Sequence, residues 1–368
     1  MKENTMNDAK QMYALDLDQC VKSVAAVGHL RTILMQGDMG GGKSSTLHTL
    51  AKMFPNHVPC YFDCTTKDLG DLNLPNMAVM NEKGYVTFVP NEELGAHLGK
   101  PVIIMIDELG KANPAVKNAL LRVMQERTVG SIKLHPESIV YATTNKGAEG
   151  VGDTLQPHAR NRISTVIVRK TNHMDWIEWG INNNIDPTIL GWVKDNPQLF
   201  ASFEDVKDPS ENPWIFHPRE QRAAFVTPRS LHAASDILHV RDQFDDQTLT
   251  ALLMGTIGDR GAMDLMAFVK LADQLPSLQS IKDDPMNAVV PKSAAAVCMV
   301  VYRTLAALES TWVNAWMDYM PRLDTEAQGM FANGVRAPKY SKQSLVMTNK
   351  KFTKWAMDNN YMFAADKK

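Results

Sequence analysis

Residues 37–44 constrain the fold of this chain more than any other feature. They read GDMGGGKS and fit the pattern GxxxxGK[ST], in which glycines let backbone N–H groups turn inward around phosphate oxygens. The segment follows a predicted strand at 32–36 and opens a predicted helix, as the pattern requires. The alternative is a flexible glycine turn with a solvent-facing lysine, and the two flanking elements argue against it. The segment therefore predicts a nucleotide-binding loop.

The side chains of this loop have separate expected roles. Lys43 would reach the β- and γ-phosphates, and Ser44 would ligate Mg²⁺. The start of the following helix adds its positive dipole end to the phosphate site. The predicted nucleotide-binding residues are Gly37, Gly40, Gly41, Gly42, Lys43, Ser44 and Ser45.

Short apolar runs alternate with helical stretches between residues 30 and 170. The runs are rich in Val and Ile and lie at 32–36, 58–62, 102–106, 139–143 and 165–168. The run at 102–106 has no polar alternation, which is typical of a central buried strand. This arrangement predicts an α/β domain with a parallel sheet that is covered by helices on both faces.

Two adjacent carboxylates follow the most apolar of these strands. Asp107 and Glu108 lie at its carboxyl end, where parallel sheets bind ligands. Because burial of both charges needs a cation or a proton, we expect Asp107 to hold Mg²⁺ through water. Glu108 would activate the attacking water. Asn145, at the end of the next strand, could orient a water, although a lone Asn there is more often a turn residue.

The rest of the chain divides into a terminus, a connection and a helical part. Residues 1–10 are polar and predict a frayed N-terminus, and a helix is expected within 11–30. We expect the α/β domain at 11–205, a proline-containing linker at 206–226 and an all-α region at 227–368. Inside the α/β domain, Asn113 and Pro114 start a helix that ends near Glu126, and residues 128–134 form a short hairpin.

Composition and charge argue against several other protein classes. The 39 basic and 41 acidic side chains leave a net charge of −2, unlike proteins that bulk electrostatics hold on nucleic acid, although a local basic groove stays open. The four cysteines lack a zinc-site pattern, so Cys60 and Cys64 are interpreted as buried thiols. The longest apolar run, 294–302, has about half the length of a bilayer span, and the N-terminus lacks the apolar core of a signal peptide. We expect a cytoplasmic protein with no membrane span.

The order of these motifs resembles the AAA+ ATPases. GDMGGGKSS, VIIMIDE and YATTN follow one another as Walker A, Walker B and sensor 1 do in that family. The intervening segments CTTKDLGDLNLP, GYVTFVP, DELGKANPAVKNALLRVMQERTVG and LQPHARNRI look like the MoxR-type branch, which has an insert in the second helix and a hairpin before sensor 1. The resemblance covers about residues 30–240 and places residues 84–90 in the insert. It implies ATP and Mg²⁺ as cofactors, a five-stranded sheet of order 5-1-4-3-2 and a helical lid with a C-terminal helical region.

The resemblance also assigns roles to three arginines. Arg162 would be the arginine finger that reaches the nucleotide of a neighbouring subunit, with Arg160 as the second choice. From the residues alone, an arginine paired with a surface carboxylate is the better interpretation. Arg229 follows a helix start and resembles sensor 2 of the lid. A finger acting in trans implies self-assembly, and the resemblance makes a homo-hexamer the expected form.

Three functions stay open at this point. The preferred one is Mg²⁺-dependent ATP hydrolysis in a ring that remodels or activates a protein partner, for which MoxR-like proteins suggest a protein with a von Willebrand factor A domain. The second is a nucleic-acid-directed motor or restriction-type subunit, which the near-neutral charge disfavours. The third is a nucleotide-gated scaffold with little turnover, against which the intact catalytic motifs argue.

Overall fold

The computed structural model describes residues 13–72, 74–145 and 161–363, which fall into two units divided between Lys170 and Thr171. The frayed terminus predicted for residues 1–10 lies outside these ranges. In the described part of the first unit, the strands and α-helices are, in chain order, α1 (Leu17–Val27), β1 (Ile33–Gly37), α2 (Thr46–Met53), β2 (Val58–Asp63), β3 (Leu74–Pro75), α3 (Met77–Lys83), β4 (Phe88–Val89), β5 (Val102–Asp107), α4 (Pro114–Glu126), β6 (Thr128–Val129), β7 (Ile132–Lys133), β8 (Ile139–Asn145) and β9 (Ser164–Ile167).

Five of these strands form one parallel sheet in the order β2-β5-β8-β1-β9. Counted along the chain among the sheet strands, and started from the opposite edge, this is 5-1-4-3-2. The predicted topology is therefore confirmed. The strands begin and end within two residues of the apolar runs in the sequence.

The central strand β5 is buried over its whole length and separates two apolar layers. Ile104 and Ile106 face a cluster that includes α4 residues such as Leu120. Ile103 and Met105 face the opposite cluster, which includes residues of α1 and α2. Because successive side chains of a strand point to opposite faces, an uninterrupted apolar run is what a strand covered on both sides requires.

The first helix, α1, is shorter than the helix expected within 11–30. It begins after Asp16, whose carboxylate accepts from the backbone N–H of Gln19 at 2.7 Å while the Gln19 side chain accepts from the Asp16 N–H at 3.0 Å. This capping box satisfies two N–H groups at the helix start and fixes it there. Leu15 instead forms a bridge with Val168 beside the sheet.

Two small projections interrupt the α/β pattern and contact each other. Residues 74–90 form an antiparallel β3–β4 pair with α3 between the strands, and we call this segment the insert. Residues 128–133 form the predicted hairpin, β6–β7. The Ser131 side chain accepts from the Phe88 N–H at 2.9 Å, and the Ser131 N–H donates to the Phe88 carbonyl at 3.2 Å. The insert and the hairpin are thereby joined by two hydrogen bonds between Phe88 and Ser131.

In the described part of the second unit the α-helices are, in chain order, α5 (His173–Asn182), α6 (Pro187–Asp195), α7 (Pro228–His239), α8 (Asp246–Ile257), α9 (Asp259–Ala272), α10 (Leu278–Asp283), α11 (Ala294–Ala307), α12 (Val313–Tyr319), α13 (Thr325–Arg336), α14 (Gln343–Met347) and α15 (Lys350–Asp358). The apolar run 294–302 lies in the buried helix α11. Within the described ranges, no helix is both long enough and apolar enough to cross a bilayer.

The break between the units comes earlier than the expected end of the α/β domain at residue 205. Trp176 of α5 and Trp192 of α6 are buried in the apolar cluster of the helical unit, so these helices belong with it. The expected linker at 206–226 is an ordered part of the same unit. In that segment the Arg222 guanidinium donates to the carbonyl oxygens of Pro209 at 2.8 Å and Asn212 at 2.9 Å.

Candidate active site

The glycine-rich loop connects β1 to α2 and has the conformation that its sequence predicts. Gly40 and Gly42 have φ angles of 70° and 84°, a region that glycine enters without steric cost. Gly37, at the end of β1, has no space for a side chain, because a Cβ there would lie 2.8 Å from the Cβ of Val168. Residues 43–45 form a 3-10 turn that leads into α2, and the Ser45 hydroxyl donates to the Gly42 carbonyl at 2.7 Å.

Lys43 is 7% exposed, and its ammonium group lies inside the loop. It donates to the carbonyl oxygens of Gly37 at 2.9 Å and Asp38 at 2.7 Å. It also donates to Oδ1 of Asn145 at 2.8 Å. An ammonium group has three donors, and these three acceptors use all of them. The buried cation is thus solvated by the protein and held where the loop glycines turn.

The sheet register brings the two acidic residues to the loop. Gly37 pairs with Asn145, and Asp63 pairs with Asp107, so the ends of four neighbouring strands lie side by side. Asp107 is 6% exposed. Its Oδ2 accepts from the Ser44 hydroxyl at 3.2 Å. Residues 63 positions apart in the chain therefore meet, as the sequence predicts.

Glu108 lies directly beyond the strand with left-handed backbone angles, φ 53° and ψ 38°. Its Oε1 accepts from the Asn145 side-chain amide at 2.8 Å, and its Oε2 pairs with the Lys111 ammonium at 3.4 Å. Because Asn145 also accepts from Lys43, a continuous polar chain runs from the cation of the loop through the amide to the carboxylate. A non-glycine residue with positive φ is uncommon and here aims the carboxylate at Asn145.

Three further residues belong to this cluster and were not predicted. The Tyr61 hydroxyl donates to Asp107 Oδ2 at 2.8 Å, and the Thr143 hydroxyl donates to Asp107 Oδ1. Lys111 pairs with Glu108, as described above. The available signal was weak: Tyr61 and Thr143 are polar residues near the carboxyl ends of apolar strands, and Lys111 lies three positions after Glu108.

The three arginines are placed differently. Arg162 is an exposed residue just before β9. Arg160 lies outside the described residues. Arg229 lies in the first turn of α7, in the second unit, where Thr227 caps the helix and Pro228 starts it as expected. Their roles stay predictions.

Burial suppresses ionisation of two groups behind the site. Desolvation raises the pKa of the Cys64 thiol to about 12, and the nearby carboxylates of Asp63 and Asp107 contribute to the shift. Burial also raises the pKa of the Tyr141 hydroxyl, which shares a hydrogen bond of 3.1 Å with Thr46 of α2. Neither group can supply a charge near neutral pH, and all four cysteines are buried and free, in line with the interpretation of Cys60 and Cys64 as buried thiols.

The donor set of the cluster suits Mg²⁺. Carboxylate and hydroxyl oxygens, as in Asp107 and Ser44, are the ligands that this hard cation prefers. Among the described residues no group of three or more His, Cys, Asp or Glu side chains forms a metal cage. Such a site fits the usual magnesium arrangement, in which one or two protein oxygens complete a shell that phosphates and waters supply.

Comparison with known families agrees with this geometry. The family described as AAA domain (dynein-related subfamily) matches residues 32–169, a range that contains all five strands of the parallel sheet and the polar cluster. Residues 32–169 form an AAA+ domain.

Similar proteins share only part of their length with this chain. Midasin of Giardia intestinalis is 25% identical in an alignment of 224 residues that covers 56% of this chain and 5% of midasin. The Nif-specific regulatory protein of Rhizobium etli is 27% identical over 139 residues, which are 36% of this chain and 24% of that protein. The chain therefore spans a small share of the length of either relative.

Two solved structures are similar over a larger share. The closed state of Hsp104 with ATPγS and FITC casein has a TM-score of 0.38 and 16% identity and covers 74% of this chain and 47% of its own. The Thermotoga maritima RuvB Holliday junction branch migration motor has a TM-score of 0.33 and 15% identity and covers 72% of this chain and 75% of its own.

Proposed function

We propose that this protein is a Mg²⁺-dependent ATPase that works as a ring and remodels or activates a protein partner. The observation that carries the proposal is the continuous polar chain from Lys43 through Asn145 to Glu108, beside a carboxylate that already touches Ser44. A phosphate-binding cation, a metal-binding pair and a base are thus assembled within hydrogen-bond distance of one another. A nucleotide-binding loop without a hydrolytic role would need only the first of these.

Each side chain has a chemical task in this proposal. Lys43 exchanges acceptors within the loop for oxygens of the β- and γ-phosphates. Ser44 and Asp107 hold the metal ion, which when bound neutralises the charge that develops on the phosphate oxygens. Glu108 takes the proton of the attacking water, and Asn145 orients the water and the carboxylate. Arg229, in the first turn of α7, stays our sensor 2 candidate.

The proposed ring would supply an arginine that the described part of the polar cluster does not include. Among its described members, Lys43 and Lys111 are cations, but both are already paired with groups of the cluster. The described hydrogen bonds and ion pairs of the cluster include no arginine. Transition-state charge on the transferred phosphate is commonly met by an arginine finger. The exposed Arg162 is our choice for a finger supplied by the neighbouring copy, with Arg160 second. We infer a homo-hexamer of the MoxR type.

The insert supports a protein partner rather than nucleic acid. Its large apolar side chains are solvent-exposed: Leu74 is 60%, Met77 55%, Tyr85 55% and Val86 52% exposed. Residues 74–90 contain one lysine and one glutamate, so the segment offers no basic surface for phosphate contacts. A cleft of about 670 Å³ is lined by residues of this insert, of the hairpin and of α4, and includes Arg122, Glu126 and Lys133. We infer that an apolar protein segment binds the exposed side chains of the insert, and a partner with a von Willebrand factor A domain is the preferred candidate in the cytoplasm.

Phosphate release with and without Mg²⁺ tests the proposal. The wild-type chain should hydrolyse ATP only with Mg²⁺, and Glu108→Gln should lower turnover by about 10²- to 10⁴-fold because the general base is lost. The variant should still bind ATP, since Lys43 and the loop are intact. Glu137→Gln is the matched control, because the Glu137 side chain is 71% exposed. Absence of metal-dependent turnover in the wild type would favour the scaffold function, and wild-type turnover in Glu108→Gln would remove its assigned role.

A further inference from the structure

Three hydroxyl groups converge on the Asp107 carboxylate. Ser44 and Tyr61 both donate to Oδ2, at 3.2 Å and 2.8 Å, and Thr143 donates to Oδ1. Ser44 belongs to the loop, whereas Tyr61 and Thr143 come from the strands on either side of β5. The carboxylate is therefore held from three directions before any ligand is considered.

In the proposed function, nucleotide binding changes the hydrogen bond from Ser44 to Asp107 but not the one from Tyr61. A carboxylate oxygen has two lone-pair positions, and on Oδ2 these are used by Ser44 and Tyr61. In the proposed function the Ser44 oxygen becomes a metal ligand, so it no longer donates to Asp107. The position that it leaves is the one that a metal-bound water can take. Tyr61 keeps the other position and prevents the carboxylate from rotating.

The sheet register explains why a tyrosine can do this. Tyr61 of β2 pairs with Met105, two residues before Asp107, so its side chain starts on the same face of the sheet as the carboxylate. Two residues along a strand cover about 7 Å, and the long phenol spans that distance with its hydroxyl at the far end. A shorter hydroxyl residue at position 61 would not reach. The Tyr61 side chain is 47% exposed on an edge strand, so burial in the core does not account for its position.

We propose that Tyr61 is a positioning residue that fixes the Asp107 carboxylate for the Mg²⁺ bound with nucleotide. This inference rests on the proposed function and adds a residue outside the Walker motifs. Groups that hydrogen-bond to a metal ligand typically contribute about 10- to 100-fold to metal affinity. Tyr61→Phe removes only the hydroxyl, so it should raise the Mg²⁺ concentration at half-saturation by a factor in that range.

Nucleotide binding separates this effect from general damage. The affinity for a fluorescent ADP analogue is measured first in EDTA and then in a Mg²⁺ titration. Tyr61→Phe should match the wild type in EDTA and differ only in the Mg²⁺ midpoint, and the midpoint of ATP hydrolysis should shift in the same direction, with a smaller change in kcat. Tyr361→Phe, at a position that is 61% exposed in the second unit, is the control.

Each outcome decides between the two proposals. An unchanged Mg²⁺ midpoint in Tyr61→Phe, together with normal wild-type hydrolysis, would overturn the role of Tyr61 and leave the ATPase in place. An equal loss of affinity in EDTA would also overturn it, because the hydroxyl would then act on the nucleotide pocket as a whole. A wild-type chain that neither requires Mg²⁺ nor hydrolyses ATP would contradict the proposed function itself.

Discussion

Replacing Lys43 with methionine isolates the charge of the buried ammonium. The methionine side chain is of similar length, so the loop keeps its packing while the donors to Gly37, Asp38 and Asn145 disappear. A hydrogen bond to a charged group contributes about 1.5–3 kcal/mol. If Lys43 reaches both the β- and γ-phosphates, two such bonds are lost for ATP, or about 3–6 kcal/mol.

The net loss is nearer the lower bound. Lys43 is already bonded to three acceptors in the protein and must release some of them for phosphate. A loss of 3 kcal/mol corresponds to roughly a 100-fold weaker Kd. For ADP, only the β-phosphate bond is lost, so the weakening should be about 10-fold or somewhat more. AMP has neither phosphate and should bind as it does to the wild type.

Titration calorimetry with ATP, ADP and AMP measures this graded series. The control is Lys52→Met, because Lys52 is an exposed lysine in the last turn of α2 and lies on the same helix without facing the loop. Wild-type ATP affinity in Lys43→Met would refute the assignment of the loop. An equal loss for all three nucleotides would refute the reasoning in a different way, because it would indicate damage to the base or ribose site rather than loss of a phosphate contact.

Two further predictions concern the neighbouring subunit and the thiols. Arg162→Ala should abolish hydrolysis, and mixed assemblies that combine it with Glu108→Gln should recover activity at interfaces where an intact Arg162 faces an intact Glu108; recovery seen only with Arg160→Ala would move the finger to Arg160. A thiol reagent such as DTNB at pH 8 should label none of the cysteines in the folded chain and all four in denaturant, and rapid labelling of any folded-state thiol would contradict the burial. Burial raises the pKa of these thiols to about 11 for Cys20, Cys60 and Cys298 and to about 12 for Cys64.

The sheet could be predicted from the sequence because its strands are continuous apolar runs. A strand such as 102–106 has no polar side to offer water, so its central position followed from composition alone. The beginning of α1 was harder. Leu15 continues the apolar period, but the Asp16 side chain caps the helix, so α1 begins at Leu17. The boundary between the two units, near residue 170, was not predicted. The helices α5 and α6 are amphipathic, and their sequences alone do not indicate which hydrophobic core their apolar faces pack into.

The site was predictable only where its chemistry is local. Lys43 and Ser44 lie within one loop, and Asp107 follows the strand that points to it, so motif and strand order were sufficient. Tyr61 and Thr143 contact Asp107 across strand pairs, and such contacts depend on register. Register is fixed by packing of whole strands and cannot be read from the spacing of single polar residues. The ion pair of Lys111 with Glu108 depends on the left-handed backbone of Glu108, and the residue type does not predict that conformation.

The two hydrogen bonds between Phe88 and Ser131 join the insert and the hairpin into one projection. The hairpin leads directly into β8, the strand that carries Asn145 at its far end, whereas the insert precedes β5, the strand that ends in Asp107. The two hydrogen bonds therefore connect the segments that precede β5 and β8, the strands whose ends carry the polar groups of the site. Ser131 makes both of these hydrogen bonds, so one serine connects the exposed insert to the hairpin that precedes β8.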